Sequence, residues 1–109
     1  MKTIYIAGPY SGAEVRNTRR AIQAGMRLRR AGACPVIPHL SMLADLVEPE
    51  PYQFWIAWDL DLLQLCDALL RLPGDSPGAD REVDAMRWLG RPVFFSEEDA
   101  VAWIGGGRA

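Results

Sequence analysis

The chain has 109 residues, half of them hydrophobic, which suits one compact domain with a core but not two. A formal net charge of -2 and the lack of any long basic run argue against a protein that mainly binds a nucleic-acid backbone. We therefore expect a small-molecule ligand and no nucleic-acid partner. No apolar run approaches the roughly 20 residues that cross a bilayer, so no membrane association is expected.

The two cysteines, Cys34 and Cys66, lie in apolar segments and lack the spacing of a metal site. We expect both to be buried free thiols in a reducing compartment, with no metal and no cofactor. The apolar N-terminal stretch is too short for the core of a signal peptide and is followed at once by Pro9. These features predict a cytoplasmic protein.

The hydrophobic pattern and the positions of glycine and proline predict strands that alternate with helices. In chain order these are a strand at 2–7, a helix at 14–31, a strand at 34–37, an irregular connection at 39–51, a helix at 52–66, a strand at 68–72, a helix at 77–89, a strand at 92–95 and a short helix after Ser96. The irregular connection is expected because three prolines, Pro38, Pro49 and Pro51, lie in or beside it.

Alternating strands and helices form right-handed βαβ units around a parallel sheet. We predict a single-domain α/β fold of flavodoxin-like or Rossmann-like type, with about four strands and helices on both faces. The domain is expected to span residues 1–104, and residues 105–109 are expected to be a flexible tail.

Ligands of such folds bind beyond the carboxyl ends of the strands, where the strand order switches. The candidate substrate-binding residues that follow the predicted strands are Gly8, Pro9, Ser11, His39, Asp75, Ser76 and Gly78. Glycines allow close backbone approach and a helix start favours an anion, so the loop after the third strand can hold a phosphate. His39 can contact the substrate or donate a proton, and a loop histidine without function is an equal alternative.

Three acidic residues have informative positions. Glu82 lies at the edge of the stripe that includes Val83 and Met86, so its carboxylate leans toward the sheet; pairing with an arginine is the structural alternative. Asp59 is on the apolar face of the predicted helix 52–66 and needs a partner that the sequence does not identify. Asp67, at the start of a strand, is interpreted as a structural acid.

The predicted helix 52–66 is apolar almost all round, with Trp58 and Leu62 opposite Trp55 and Leu63. Such a helix is either deeply buried or covered by a second subunit. We predict a homodimer.

Two segments, IYIAGPYSG and CDALLRLPGDSPGADREVDAMRWLGRPV, with the aromatic helix between them, resemble the nucleoside 2-deoxyribosyltransferase-like superfamily. The likeness is greatest to its small uncharacterised bacterial and phage members, which are domains of unknown function, and it spans nearly the whole chain. It implies an N-glycosidic bond enzyme, a hydrolase or a deoxyribosyltransferase, that acts on a (deoxy)nucleoside or its 5'-monophosphate.

The same resemblance assigns roles to individual residues. Glu82 would be the nucleophile at the anomeric carbon, and a second acid or tyrosine would assist departure of the base. The loop with Gly8, Pro9 and Tyr10 would line the sugar and base, and Tyr10 would hold Glu82 in place. The candidate catalytic residues are therefore Glu82, Tyr10 and Asp59.

The turn Ser76-Pro77-Gly78 looks more like the 5'-monophosphate hydrolases of the superfamily, to which Arg16 and Arg19 would add positive charge. The first loop only partly reproduces the glycine- and arginine-rich loop of those hydrolases. The acid that transferases place before the glycine is represented only by Asp75, for which a simple turn cap is the alternative. Two other functions stay open: a non-catalytic nucleotide-binding or sensor domain, and a protein that binds another protein through its aromatic helix.

Overall fold

The structure is a computed structural model, and it describes residues 1–106. The strands are β1 (Thr3–Ala7), β2 (Cys34–Val36), β3 (Ala68–Arg71) and β4 (Val93–Phe94). The helices are α1 (Glu14–Arg30), α2 (Ser41–Val47), α3 (Tyr52–Gln64), α4 (Pro77–Trp88) and α5 (Glu97–Gly105). The strands and the four longer helices lie within a few residues of their predicted bounds. Residues 107–109 of the predicted tail lie outside the described residues, and Gly105 is the last residue of α5.

The four strands form one sheet in the order β2-β1-β3-β4, and all neighbouring strands are parallel. This confirms the predicted α/β fold. The chain leaves β1 toward β2 on one side and then crosses to β3 on the other, so the switch point lies between β1 and β3. A hydrogen bond of 2.7 Å from the Leu72 amide to the Ala7 carbonyl joins their carboxyl ends.

Side chains that alternate along the central strands fill two separate cores. Ile4 and Ile6 of β1 and Leu70 of β3 pack in a core that also holds residues of α1 and α5. Tyr5 of β1 and Leu69 of β3 pack in the other core, with residues of α3 and α4. Helices therefore cover both faces, and Tyr5 points to the face that α4 covers.

The loops after β1 and β3 are in close contact. Gly74 has a φ of +115°, and a Cβ atom there would lie 2.8 Å from Cγ of Pro9. Glycine is the residue that tolerates both this backbone conformation and this approach. The two loops that the switch point brings together are thus packed on one another.

The prediction of an irregular connection at 39–51 is wrong. Residues Pro38–Leu40 form a 3₁₀ turn, and Ser41–Val47 form helix α2. Pro38 occupies the first position of the turn, where its missing N–H costs nothing, and Pro49 lies beyond α2. The prolines flank this helix and do not interrupt it.

The prediction that Cys34 is buried is also wrong, whereas Cys66 is buried as expected. Cys34 begins β2, which lies at the edge of the sheet and has a neighbouring strand, β1, on one side only. Asp67 has the structural role that its position indicates: its carboxylate accepts hydrogen bonds from the amide and the hydroxyl of Thr3, at 2.9 and 3.0 Å.

Helix α3 is far from completely buried, because Leu63 is its one buried residue. Phe54, Trp58 and Leu65 next to its end are 43%, 48% and 76% exposed. Of the two alternatives for this helix, deep burial within one chain is therefore excluded. Within residues 1–106, none of the helices combines the length and apolar character needed to cross a membrane.

Candidate active site

A cleft of about 920 Å³ opens at the carboxyl edge of the sheet, at the predicted switch point. Its walls come from the loops after β1 and β3, from the 3₁₀ turn, and from α2, α3 and α4. The structure brings all of the candidate residues to this cleft: Gly8, Pro9, Tyr10, Ser11, His39, Asp59, Asp75, Ser76, Gly78 and Glu82.

The carboxylate of Glu82 accepts a hydrogen bond of 2.5 Å from the hydroxyl of Tyr5. Tyr5 is fully buried in β1, and burial together with the negative charge of Glu82 raises the pKa of its phenol, which therefore stays protonated. The pKa of Glu82 is raised above its usual value, because burial outweighs the bond from Tyr5 and the charges of Arg81 and Arg71, which lower it. The carboxylate is thus anchored by a buried donor at one oxygen, Oε2.

The expectation that Tyr10 holds Glu82 is wrong, since the phenol in contact is that of Tyr5. Tyr10 lies beyond the end of β1, is 36% exposed, and makes an edge contact with the ring of His39 at 6.2 Å between centroids. Of these two tyrosines, Tyr5 alone lies inside β1, on the face that α4 covers. Tyr10 lines the cleft but does not orient the carboxylate.

Asp59 projects from α3 into the same cleft as Glu82. Its Oδ1 is buried and has no hydrogen-bond partner among the described residues. Burial, and next the negative charge of Glu82, raise the pKa of Asp59 to about 7. Asp59 thus lacks the partner that its position calls for, and the charge that acts on it is that of another carboxylate. Near neutral pH, Asp59 is an acid that can release a proton beside an oriented carboxylate.

His39 fastens the loop after β1. Its Nε2 lies 3.1 Å from the carbonyl oxygen of Pro9, and because a carbonyl only accepts, Nε2 carries the hydrogen. Burial lowers the pKa of His39, although bonds to the carbonyls of Pro9 and Gly8 oppose this. A neutral imidazole does not serve as a cationic proton donor, so the geometry favours a loop-holding role.

Ser76 caps α4, as its place before Pro77 indicates. Its hydroxyl oxygen accepts a hydrogen bond of 3.0 Å from the amide of Ala79, and Pro77 occupies the first turn of the helix. The cap fixes the start of the helix that carries Glu82 to the loop after β3.

Two residues that shape the site, one in the core and one in the cleft wall, were not identified from the sequence. Tyr5 had one usable signal, because a tyrosine inside a buried strand requires an acceptor for its hydroxyl. Asp45 lies on the unpredicted α2, and its carboxylate accepts hydrogen bonds from the indole of Trp55, at 2.7 Å, and from the amide of Glu50, at 3.0 Å. These bonds attach α2 to the start of α3 across the mouth of the cleft.

The charges around the cleft are strongly unequal. Arg16 and Arg19 do not line it, and Arg81 is the one arginine or lysine that does so among residues 1–106. Six acidic residues from four parts of the chain line the cleft: Asp45, Glu50, Asp59, Asp75, Glu82 and Asp84. The site therefore has a negative field.

Comparison with known proteins gives a family and two similar folds. The model of the family described as Domain of unknown function (DUF7768) matches residues 2–96. No curated protein sequence matches the chain.

The solved structure of a 2-deoxyribosyltransferase from Bacillus psychrosaccharolyticus is similar over 84% of this chain and 69% of that chain, with a TM-score of 0.64 and 26% identity. A 2-desoxiribosyltransferase from Leishmania mexicana is similar over 85% of this chain, with a TM-score of 0.64 and 21% identity, which shows the fold alone. The chain spans 62% of the Leishmania chain. The resemblance seen in the sequence is thus confirmed.

The unpaired carboxyl group of Asp59 should lower the free energy of unfolding when it is ionised, and this can be measured without a substrate. The pKa of Asp59 is raised from 3.8 to about 7 by folding, so the unfolded chain loses this proton first as the pH rises. Stability should therefore fall between about pH 4 and pH 7 and stay lower above that window. The variant Asp59→Asn should be more stable than the wild type by about 1–2 kcal/mol at pH 8, allowing for solvent screening, and nearly equal to it at pH 4. Urea unfolding at both pH values tests this, and equal stability at pH 8 would contradict the unfavourable burial of the charge.

Proposed function

Since the chain belongs to the family Domain of unknown function (DUF7768), we propose an activity on the basis of its site. The protein cleaves the N-glycosidic bond of a nucleoside through Glu82 and passes the sugar to water or to a second base. One observation carries the proposal: a carboxylate anchored by the buried phenol of Tyr5 shares a cleft with Asp59, whose pKa is about 7. The similarity to a 2-deoxyribosyltransferase described as a biocatalyst for nucleoside synthesis supports it.

The chemistry assigns different roles to the two carboxyl groups. Glu82 attacks the anomeric carbon, so that a C–O bond to the sugar forms as the C–N bond to the base breaks. Protonated Asp59 gives its proton to the departing base. Water or a second base then attacks the same carbon, its proton returns to Asp59, and the Glu82 carboxylate is released. Tyr5 acts as a positioning residue, because it holds Oε2 and leaves Oε1 as the attacking oxygen.

Replacement of the nucleophile should abolish the reaction. Glu82→Gln keeps the size of the side chain but removes the attacking oxygen, and we expect base release to fall at least about 10³-fold. Free base is measured chromatographically after incubation with a panel of deoxynucleosides and their 5'-monophosphates. Glu98→Gln, at an exposed position in the first turn of α5, is the matched control and should leave the rate unchanged.

Two outcomes would count against this activity: no release by the wild type, or equal release by the wild type and Glu82→Gln. Ligand-dependent thermal stabilisation that persists in Glu82→Gln, without product, would favour the non-catalytic nucleotide-binding alternative.

The charge of the cleft favours a substrate without a phosphate. Ser76 and the start of α4 can contact an anion, but the amide of Ala79 is already bonded to the Ser76 hydroxyl. Within the described part of the chain, Arg81 is the one cation that would face a phosphate, in a cleft that six acidic residues line. Repulsion from these carboxylates opposes a dianion more than it opposes an uncharged nucleoside.

A nucleoside should therefore be preferred over its own 5'-monophosphate. At low ionic strength we expect kcat/KM for the deoxynucleoside to exceed that for the monophosphate at least about tenfold, and the ratio should shrink as salt screens the carboxylates. Rates for each pair at 20 and 500 mM salt measure this. A preference for the monophosphate at low salt would contradict an unphosphorylated substrate without affecting the role of Glu82.

A homodimer is the proposed assembly. Phe54, Trp58 and Leu65 are spaced by four and seven residues, so they share one face at α3, and all three are more than a third exposed. Phe54 and Trp58 contact each other with ring centroids 6.1 Å apart, which makes a contiguous aromatic surface. Burial of this surface against a second copy would remove apolar area from water.

Light scattering after gel filtration should therefore give twice the monomer mass at micromolar protein. Trp58→Arg should weaken self-association at least about tenfold, because loss of a central aromatic residue from an interface typically reduces the affinity by this factor or more. Val15→Arg, at an 80% exposed position on α1 across the sheet, is the control and should remain dimeric. A monomeric wild type would refute the assembly.

A further inference from the structure

A buried arginine lies at the switch point, directly behind the cleft. Arg71 is the last residue of β3, at the end of the apolar run ALLR, and it is only 8% exposed. A charged side chain in such a position is unfavourable unless partners satisfy it. The position therefore raises the question of what the guanidinium contacts.

The guanidinium of Arg71 donates to three groups in two segments. One nitrogen donates to the carbonyl of Leu72. The other donates to the carbonyl of Gly74 and to the carboxylate of Asp80, each at 2.9 Å. Leu72 and Gly74 belong to the loop after β3, and Asp80 lies in the first turn of α4. A single rigid group thus ties the end of the strand to the loop and to the helix.

These contacts act on Glu82, which lies two residues beyond Asp80 on the same helix. The groups that interact with its carboxylate, by a hydrogen bond or through their charge, come from four elements: Tyr5 on β1, Asp59 on α3, Arg81 on α4 and Arg71 on β3. Of the two cations, Arg81 is exposed and Arg71 is buried. Arg81 lowers the pKa of Glu82 more than Arg71 does, but the charge of Arg71 is buried and is therefore less screened by salt.

We propose that Arg71 is a positioning residue of the candidate active site: its guanidinium locks the loop after β3 and the first turn of α4 to the sheet, and so holds the Glu82 carboxylate in place and favours its ionised form. The catalytic consequence rests on the proposed function, whereas the effect on the carboxylate does not. Two properties are required of the side chain, a positive charge and a planar fork of donors.

The charge is tested by direct titration of Glu82. Protein labelled with ¹³C at the glutamate carboxyl groups is titrated by NMR, and Glu82→Gln assigns the Glu82 signal. Removal of the cation in Arg71→Gln should raise the titration midpoint of Glu82 by about 0.5–1 pH unit, because one of the two cations that oppose the effect of burial on this pKa is then missing. Arg87→Gln removes an exposed charge from the same helix and should leave the midpoint unchanged. An unchanged midpoint in folded Arg71→Gln would overturn the proposal.

The fork is tested with Arg71→Lys, which keeps the charge but not the planar set of donors, and which also serves if Arg71→Gln does not fold. The Glu82 midpoint should stay near that of the wild type, while kcat for base release should fall at least about tenfold with little change in KM, because the loop and helix are no longer locked. In Arg71→Gln the acid limb of the pH profile of kcat/KM should move to higher pH together with the NMR midpoint.

Full kcat in Arg71→Lys would overturn the locking role. If the wild type releases no base, the proposed function fails, and the NMR midpoints still decide the effect of Arg71 on Glu82.

Discussion

The hydrogen bond from Tyr5 to Glu82 is the constraint on which the rest of the site depends. Tyr5 is fully buried in the central strand β1, and its hydroxyl must have an acceptor there. The acceptor is on α4, whose apolar residues pack on the same face of the sheet, so this bond sets the direction of the carboxylate relative to β1. The cap by Ser76 and the ion pair between Arg71 and Asp80 fix the beginning of the same helix. The candidate nucleophile is thus oriented by the sheet itself.

The carboxyl groups of Glu82 and Asp59 differ because their surroundings differ. For Glu82, a hydrogen-bond donor and two positive charges oppose the rise in pKa that burial causes. For Asp59, burial and the charge of Glu82 both raise the pKa, to about 7. A pair of acids separated in this way can divide the tasks of nucleophile and proton donor. The arrangement costs folding stability at Asp59, a cost typical of sites built for chemistry.

The sequence sufficed for the fold and for the location of the site, but not for every contact. The alternation of strands and helices is local information, and the switch-point rule then brought Gly8, His39 and Glu82 to one edge. The role of Tyr5 needs knowledge of which helix covers which face of β1, and the exposure of Cys34 needs the order of the strands. Helix α2 was missed because flanking prolines resemble breakers when their positions relative to the helix ends are unknown.

The distribution of charge also separates a local signal from a global one. The turn around Ser76, taken alone, resembles a phosphate site, because its serine and helix start are local features. The potential in the cleft is instead a sum over carboxylates from α2, α3, α4 and the connecting loops, and no single segment reveals that sum. Among residues 1–106, Arg81 is the one arginine or lysine that lines the cleft. Arg27 pairs with Glu97, and Arg71, buried at the end of β3, pairs with Asp80. Arg71 is buried and does not line the cleft, so its charge can act on Glu82 without facing an incoming anion.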